Sequence, residues 1–352
     1  MNKIAHLDLD QFFVAVERIK DPNLIGKPVV VGGSPTGRGV VASASYEARK
    51  YGIRSAMPMY KAFKLCPHLI RAKGRHGDYS NYSQSAFGIV NEYSSKVERT
   101  SIDEGYIDLS ESYCKSNLAA IEIAEKIKLR ITKETGLSAS LGIGTNKMMA
   151  KIASKHAKPE GILEILPKME EIFLESMEVG IIPGVGPKTR ERLKIIGVKS
   201  INELKKISEK ELISRFGIHG EGLYKRARGI SGDRINVSRE RKSISKERTF
   251  NKDISNPYSL DQTLKKLSVG ICNLLRDKKV KAKGIGIKMR YENFETITRS
   301  KTLSRGNNDS ILLYEVVKHM IYSNFKPGRS VRLIGIKVFT FEPTDIQAEL
   351  FA

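Results

Sequence analysis

Residues 231–243 of this 352-residue chain are polar and carry no periodicity, so the apolar residues on either side must find separate cores. Before that break, Lys3–Leu9 alternates as a strand and sets the side chains of Asp8 and Asp10 on one face. A short helix is expected from Gln11 to about Arg18. Two helical pieces, broken at Pro58, are expected between Tyr46 and Pro67. Strand and helix patterns alternate to about residue 165, which predicts an α/β or α+β unit. Residues 166–230 read as helical. Beyond the break, strand patterns at Ile285–Tyr291, Phe294–Leu303 and Val331–Phe341 alternate with helices over 260–277 and 309–324, a second and smaller α+β domain. Residues 342–352 have no partner element and are expected to form a free tail.

Charge narrows the partners. Sixty-one Lys and Arg face thirty-nine Asp and Glu, a formal net charge of +22. An excess of that size points first to nucleic acid and second to an anionic membrane surface. The apolar runs are too short to span a bilayer, which argues against a membrane protein. Asp8, Asp10, Glu17 and Asp21 interrupt the first thirty residues and exclude a secretory signal. Cys66, Cys114 and Cys272 are odd in number and far apart, so neither a disulfide framework nor a zinc site is expected. A reducing, cytoplasmic setting follows.

Carboxylates supply the sharpest chemical signal. Asp8 ends one predicted strand, and Asp103 and Glu104 sit in the acidic turn between two more. Acids brought together repel one another, and a divalent cation is the usual remedy; phosphoryl-transfer sites hold two such cations. Solvated strand-end acids are the competing reading, and Asp10 and Asp108 are expected to be structural. Lys147, Lys151, Lys155 and Lys158 form a stripe along one helix. Gly142-Ile143-Gly144 lacks the third glycine and the acidic strand end of a dinucleotide site. Pro183-Gly184-Val185-Gly186-Pro187-Lys188 fits a helix–hairpin–helix, in which Gly184, Gly186 and Lys188 would meet a DNA phosphate without reading bases. Residues 225–250 hold nine Lys or Arg against three acids, and Arg241, Lys242, Lys246 and Arg248 are the candidates there to follow a phosphate backbone.

At Asp8-Leu9-Asp10-Gln11-Phe12-Phe13, Ser45-Tyr46-Glu47-Ala48-Arg49-Lys50, Ser101-Ile102-Asp103-Glu104, and Ala150-Lys151-Ile152-Ala153 through Lys158-Pro159, the sequence resembles the Y-family DNA polymerases. The motifs follow one another in family order and the similarity extends to the C-terminus. The resemblance implies an α+β multidomain right hand. Its parts would be a palm at 1–10 and 74–165, fingers at 11–73, a helical thumb at 166–230, a linker at 231–242, a separate α+β little finger at 243–341, and a tail at 342–352. It implies that Asp8, Asp103, Glu104 and the Leu9 carbonyl hold two Mg2+ ions, and that Tyr46, Arg49 and Lys158 bind the triphosphate. Phe13 matches the steric gate that rejects ribonucleotides. Gly105 stands where the family more often has alanine, and Gln11 where some relatives have an aromatic residue. Gln347, Leu350 and Phe351 resemble a peptide that docks in the sliding clamp.

The expected activity is template-directed, low-fidelity addition of dNTPs to a primer 3′-OH on primer–template DNA, in translesion synthesis and repair. The protein would act as a monomer, and the four parts and tail leave no room for a proofreading domain. Two alternatives stand beside it. A palm-type nucleotidyl cyclase would also use strand-end acids and metals, although the expected GGDEF-type turn is absent. A DNA-binding accessory protein would use the hairpin and basic linker and leave the acids incidental.

Overall fold

Strand β1 (Ile4–Leu9) is buried along almost its whole length because it is covered on both faces. Ala5, Leu7 and Leu9 join one core, while Ile4, His6 and Asp8 alternate onto the opposite face. The computed structural model describes residues 3–111, 119–238 and 240–344.

From β1 the chain passes through α1 (Phe12–Lys20) into a three-stranded sheet of β2 (Val29–Gly32), β3 (Val41–Ala44) and β4 (Ile70–Ala72), ordered β3–β2–β4. Helices α2 (Tyr46–Lys50) and α3 (Met59–Leu65) lie between β3 and β4. The two pieces are separated ahead of Pro58 as expected, with Pro58 at the N-cap of α3, but both are shorter than the sequence pattern suggests. Val30, Val41, Ile53 and Met59 fill a local core under this sheet.

The chain then returns through α4 (His76–Tyr93), β5 (Val97–Arg99), β6 (Glu104–Asp108), α5 (Ala120–Thr135), β7 (Ala139–Gly144), α6 (Lys147–Ala157) and β8 (Ile162–Glu164). Together with β1 the strands form a sheet ordered β5–β6–β1–β7–β8, with β1 antiparallel to both neighbours. Phe87 and Val90 of α4 and Ala124 and Ile127 of α5 pack on one face. On the other face α6 lies almost on the strands. A Cβ on Gly142 would meet the Ser154 amide nitrogen at 2.0 Å and the Ala150 carbonyl at 2.2 Å. That close approach, and not nucleotide binding, accounts for the glycine.

Five short helices follow: α7 (Glu170–Glu175), α8 (Pro187–Ile195), α9 (Ile201–Lys205), α10 (Glu209–Phe216) and α11 (Ile218–Ala227). They bury Leu174, Leu193, Ile201, Leu212 and Leu223 in one cluster with Met149 and Ile152 of α6.

The chain divides into two compact units, Met1–Pro35 with Gly39–Ser238, and Thr36–Arg38 with Arg239–Ala352. The first half of the expected linker is not free. Lys147 donates from its amide to the Gly232 carbonyl and from Nζ to the Arg234 carbonyl, both at 3.4 Å, and the Asn236 amide donates to Glu98 at 2.8 Å. Ile235 packs against Ile4, Tyr106 and Ala150, an apolar contact that a polar average conceals.

In the second unit, β9 (Ser243–Ile254), α12 (Asp261–Asp277), β10 (Val280–Tyr291), β11 (Thr296–Asn307), α13 (Ser310–Tyr322) and β12 (Val331–Pro343) build an antiparallel sheet ordered β11–β10–β12–β9. Both helices bury their apolar stripes on one face, around Leu264, Ile271, Ile287, Val317 and Ile336. Two boundaries differ from expectation. Phe294 lies in the turn before β11 at φ +67°, and β12 runs to Pro343 because its end still pairs with Val280. This strand therefore runs two residues past the boundary expected at 341.

Candidate active site

The register of the central strands brings the acids to one end of the sheet. Asp8 of β1 stands opposite Glu104 of β6, and the Leu9 amide donates to the Asp103 carbonyl at 2.9 Å. Ser101 shapes the turn, its hydroxyl oxygen accepting from the amides of Asp103 at 3.2 Å and Glu104 at 3.1 Å. Asp108 pairs with Ile4 at the far end of the same ladder, where its carboxylate accepts from the Ser110 amide at 2.9 Å. It takes no part in the cluster.

Basic groups from α6 meet these acids. Lys151 Nζ lies 2.6 Å from Glu104 Oε2, and Lys158 Nζ lies 2.5 Å from Asp8 Oδ1 and 3.8 Å from Asp10. Lys147 reaches Glu98 at 2.6 Å, and Lys155 is exposed. The lysine stripe is thus not a plain solvated face. With side chains disposed in this way, no three His, Cys, Asp or Glu groups among the described residues converge closely enough to hold a metal ion.

His6 completes this arrangement. It is buried, its Nδ1 lies 2.7 Å from the Ser154 hydroxyl, and its Nε2 is 3.4 Å from Glu104 Oε2. At that distance the ring is a weak partner, and Nε2 has no closer one. Burial lowers the His6 pKa and favours the neutral ring. His6 and the nearer Lys151 ammonium hold Glu104 down to about 2. Asp8 moves the other way, because burial outweighs the attraction of Lys158. The two carboxylates therefore differ in electrostatic environment.

Asp10 is fully buried and fully engaged. It accepts from the Tyr46 hydroxyl at 2.9 Å, from Ser140 at 2.9 and 3.1 Å, and from the Glu160 amide at 2.9 Å. These donors agree with a structural role, and the effect of the bond is to aim Tyr46. Ser45 caps α2 through the Ala48 amide, and the Tyr46 amide donates to the Gln11 side-chain carbonyl at 3.1 Å. Gln11 thereby ties the start of α1 to the start of α2, which an aromatic side chain could not do by this bond. Arg49 lies with its guanidinium carbon 5.0 Å from the Tyr46 ring centroid, and its Nε donates to the Ala44 carbonyl at 3.1 Å. Burial and the adjacent Asp10 carboxylate raise the Tyr46 pKa, so the phenol keeps its proton.

Phe13 is half-buried and stacks on Tyr79, with ring centroids 4.2 Å apart and planes 15° from parallel. Tyr79 is itself fixed, its hydroxyl donating to the buried Glu17 carboxylate at 2.7 Å. Sequence reading singled out neither Tyr79 nor His6, and it saw Lys151 only as part of the stripe and motif. Its one available signal was the polar His6 on the Asp8 face of an otherwise apolar strand.

Gly184 adopts φ +92° in the hairpin, and Gly186 caps α8 with Pro187 at the first helical position. Gly184, Gly186 and Lys188 are exposed. In the second unit Arg241, Lys242, Lys246 and Arg248 are exposed as well. Lys246 and Arg248 pair with Ile336 and Ile334, however, which puts them on the helix-covered side of edge strand β9. Lys246 lies over Gly270 of α12. The opposite, open side carries a groove of about 690 Å3, lined by Lys288, Ser300, Lys337 and Phe339 over Gly286 and Gly335, with Glu247 paired to Lys288 at 2.9 Å. Glycines alternating with basic residues in β10 and β12 were the unread sign of it. Gln347, Leu350 and Phe351 lie outside the described residues. No helix among the described residues is long and apolar enough to cross a membrane.

The chain is similar to known proteins along nearly its whole length. Residues 7–155 match the impB/mucB/samB family, residues 241–350 match that family's C-terminal domain, and residues 180–231 match the thumb domain of DNA polymerase-iota. The chain is 41% identical over 348 residues to a DNA polymerase IV of Clostridium perfringens, covering 99% of this chain and 96% of the relative. It is 39% identical over 341 residues to a DNA polymerase IV of Listeria monocytogenes, covering 97% and 96%. Among solved structures, the Y-family DNA polymerase chimera Dbh-Dpo4(243-245)-Dbh superposes with a TM-score of 0.84 at 27% identity, covering 96% of this chain and 98% of that one.

Proposed function

The chain belongs to the impB/mucB/samB family, the Y-family DNA polymerases, and from that membership we propose a two-metal route for its chemistry. It is a DNA-directed DNA polymerase of the low-fidelity, translesion kind, acting on primer–template DNA and dNTPs, and its family depends on a divalent metal. In the proposed route the primer 3′-oxygen bonds to the α-phosphorus of the dNTP, the bond to the bridging oxygen breaks, and pyrophosphate leaves. The observation that carries this reading is the register that sets Asp8 opposite Glu104, beside a turn tied to β1 through Asp103.

Asp8, Asp103, Glu104 and the Leu9 carbonyl offer hard oxygen donors, which suit Mg2+; to hold it the carboxylates would have to leave Lys151 and Lys158 and converge. Two such ions would lower the pKa of the primer 3′-hydroxyl and neutralise the charge of the triphosphate and departing pyrophosphate. Tyr46 would give up its bond to Asp10 in order to donate its phenolic proton to a phosphate oxygen, and Arg49 would grip two such oxygens. Lys158 adds a point charge. Lys158→Ala is expected to raise the KM for dNTP about tenfold and to lower kcat less, as measured by single-nucleotide incorporation.

The parts of the hand follow the elements: palm on the five-stranded sheet, fingers on the three-stranded one, thumb on α7–α11, and little finger on the second unit. We place DNA phosphates at the Gly184–Gly186 hairpin, at Lys188, along Arg241, Lys242, Lys246 and Arg248, and beside Lys337 in the groove of the little finger. The protein is proposed to work as a cytoplasmic monomer in repair, without proofreading. Gln347, Leu350 and Phe351 are proposed to dock in the sliding clamp, with the apolar pair as anchors. Deleting residues 347–351 should abolish clamp capture in a pull-down while leaving extension of a short primer unchanged. Retained capture would end the clamp assignment.

The reading as a whole is tested by primer extension with Mg2+ and all four dNTPs. Product whose sequence follows the template supports it, whereas product made without primer–template would favour a cyclase. DNA binding without extension would favour an accessory protein.

A further inference from the structure

Behind the acidic turn, α4 presents Ser83 and Phe87 one helical turn apart, both buried. Ser83 donates its hydroxyl to the Ile102 carbonyl, inside the turn itself. Arg99, at the end of β5, donates from Nη2 to the same hydroxyl oxygen at 2.6 Å and stands 4.5 Å from the Phe87 ring centroid. Phe87 in turn fills the space beside Gly105. A Cβ there would sit 2.8 Å from Phe87 Cε1 and 3.0 Å from the Glu98 carbonyl oxygen. Ring and strand backbone thus close on that space together, and relief would have to come from movement of the first residues of β6. Glu104 is the immediate neighbour.

We propose that Ser83, Phe87 and Arg99 form a template that fixes the orientation of the Asp103–Glu104 turn, and that Gly105 is required because Phe87 occupies the room its side chain would need. All three are positioning residues. The absent methyl at 105 does not loosen the turn, because an aromatic ring from α4 takes its place. The inference rests on Asp103 and Glu104 being the catalytic carboxylates. Small displacements of such groups are costly, about a hundredfold in rate for about 1 Å.

The test is a double-mutant cycle read in single-nucleotide incorporation, with thermal unfolding measured on each protein. Gly105→Ala is expected to lower kcat at least about tenfold with the KM for dNTP nearly unchanged. Phe87→Leu removes the ring edge, so Phe87→Leu with Gly105→Ala should recover to within about threefold of Phe87→Leu alone. Ser83→Ala changes no packing volume to speak of and keeps the test open should Gly105→Ala fail to fold. It should lower kcat about fivefold without moving Tm by more than a few degrees. Wild-type kcat in Gly105→Ala, no recovery in the double variant, or wild-type kcat in Ser83→Ala would each overturn the template. An active Glu104→Ala protein would instead overturn the reading of the site on which it rests.

Discussion

Glu104→Ala is expected to remove templated extension, with kcat falling at least about a thousandfold, or roughly 4 kcal/mol of transition-state stabilisation. The glutamate does three things that alanine cannot. In the proposed site it would offer oxygen to a divalent cation, it stays ionised because His6 and Lys151 hold it down to about 2, and it anchors the ammonium of Lys151 at 2.6 Å. Alanine leaves Lys151 and His6 facing each other in a half-buried place, so a cation entering there would meet positive charge. Asp103→Ala should behave alike, since its carboxylate has no substitute in the turn. DNA binding should survive in both variants, because the hairpin and the basic strands lie on other elements. The comparison to make is extension of a labelled primer beside a gel-shift titration at one fixed salt concentration. Turnover near wild type in either variant would refute the carboxylate assignment, and loss of DNA binding along with activity would mean the turn had collapsed.

Much of this arrangement was legible because it follows strand periodicity. Asp8 faces the site because its parity matches His6 and Ile4, and that can be counted along the chain. The second unit was equally readable: its helices carry a regular apolar stripe, and its strands pair without interruption at their cores. What escaped depends on pairing between distant segments. Strands β4 and β8 have three residues each, too few to show a period, and exist only because β2 and β7 offer them an edge. Ile235 anchors a stretch that reads as polar linker. The role of Gln11 and the bond between Asp10 and Tyr46 were invisible for the same reason, since Tyr46 lies 35 and 36 positions further on. The lysine stripe is the instructive middle case. Its spacing was plain, but a stripe looks the same whether it faces water or carboxylates, and only the packing of α6 against β1 decides.

Phe13→Val should cost the protein its discrimination against ribonucleotides. The ratio of kcat/KM for dNTP over rNTP is expected to fall about a hundredfold or more, with kcat/KM for the dNTP itself changing less than about tenfold. Selectivity against one extra hydroxyl by attraction alone is weak, so a steric wall is the economical device, and a wall works only if it cannot yield. The Phe13 ring proposed for that wall has a backing. Tyr79 lies flat against Phe13 at 4.2 Å, and the phenol is pinned by Glu17. Tyr79→Ala should therefore lower the same ratio about tenfold although it leaves Phe13 in place, because an unsupported ring can turn away from a 2′-hydroxyl. Tyr79→Phe separates support from stability. The stack persists and selectivity should hold, while the Glu17 oxygen loses its donor and Tm should drop, by an amount matching about 1–3 kcal/mol. If Phe13→Val discriminates as well as wild type, the gate is elsewhere. If Phe13→Val fails to discriminate but Tyr79→Ala does so normally, the ring holds its position without the stack, and α1 alone must be rigid enough to carry it.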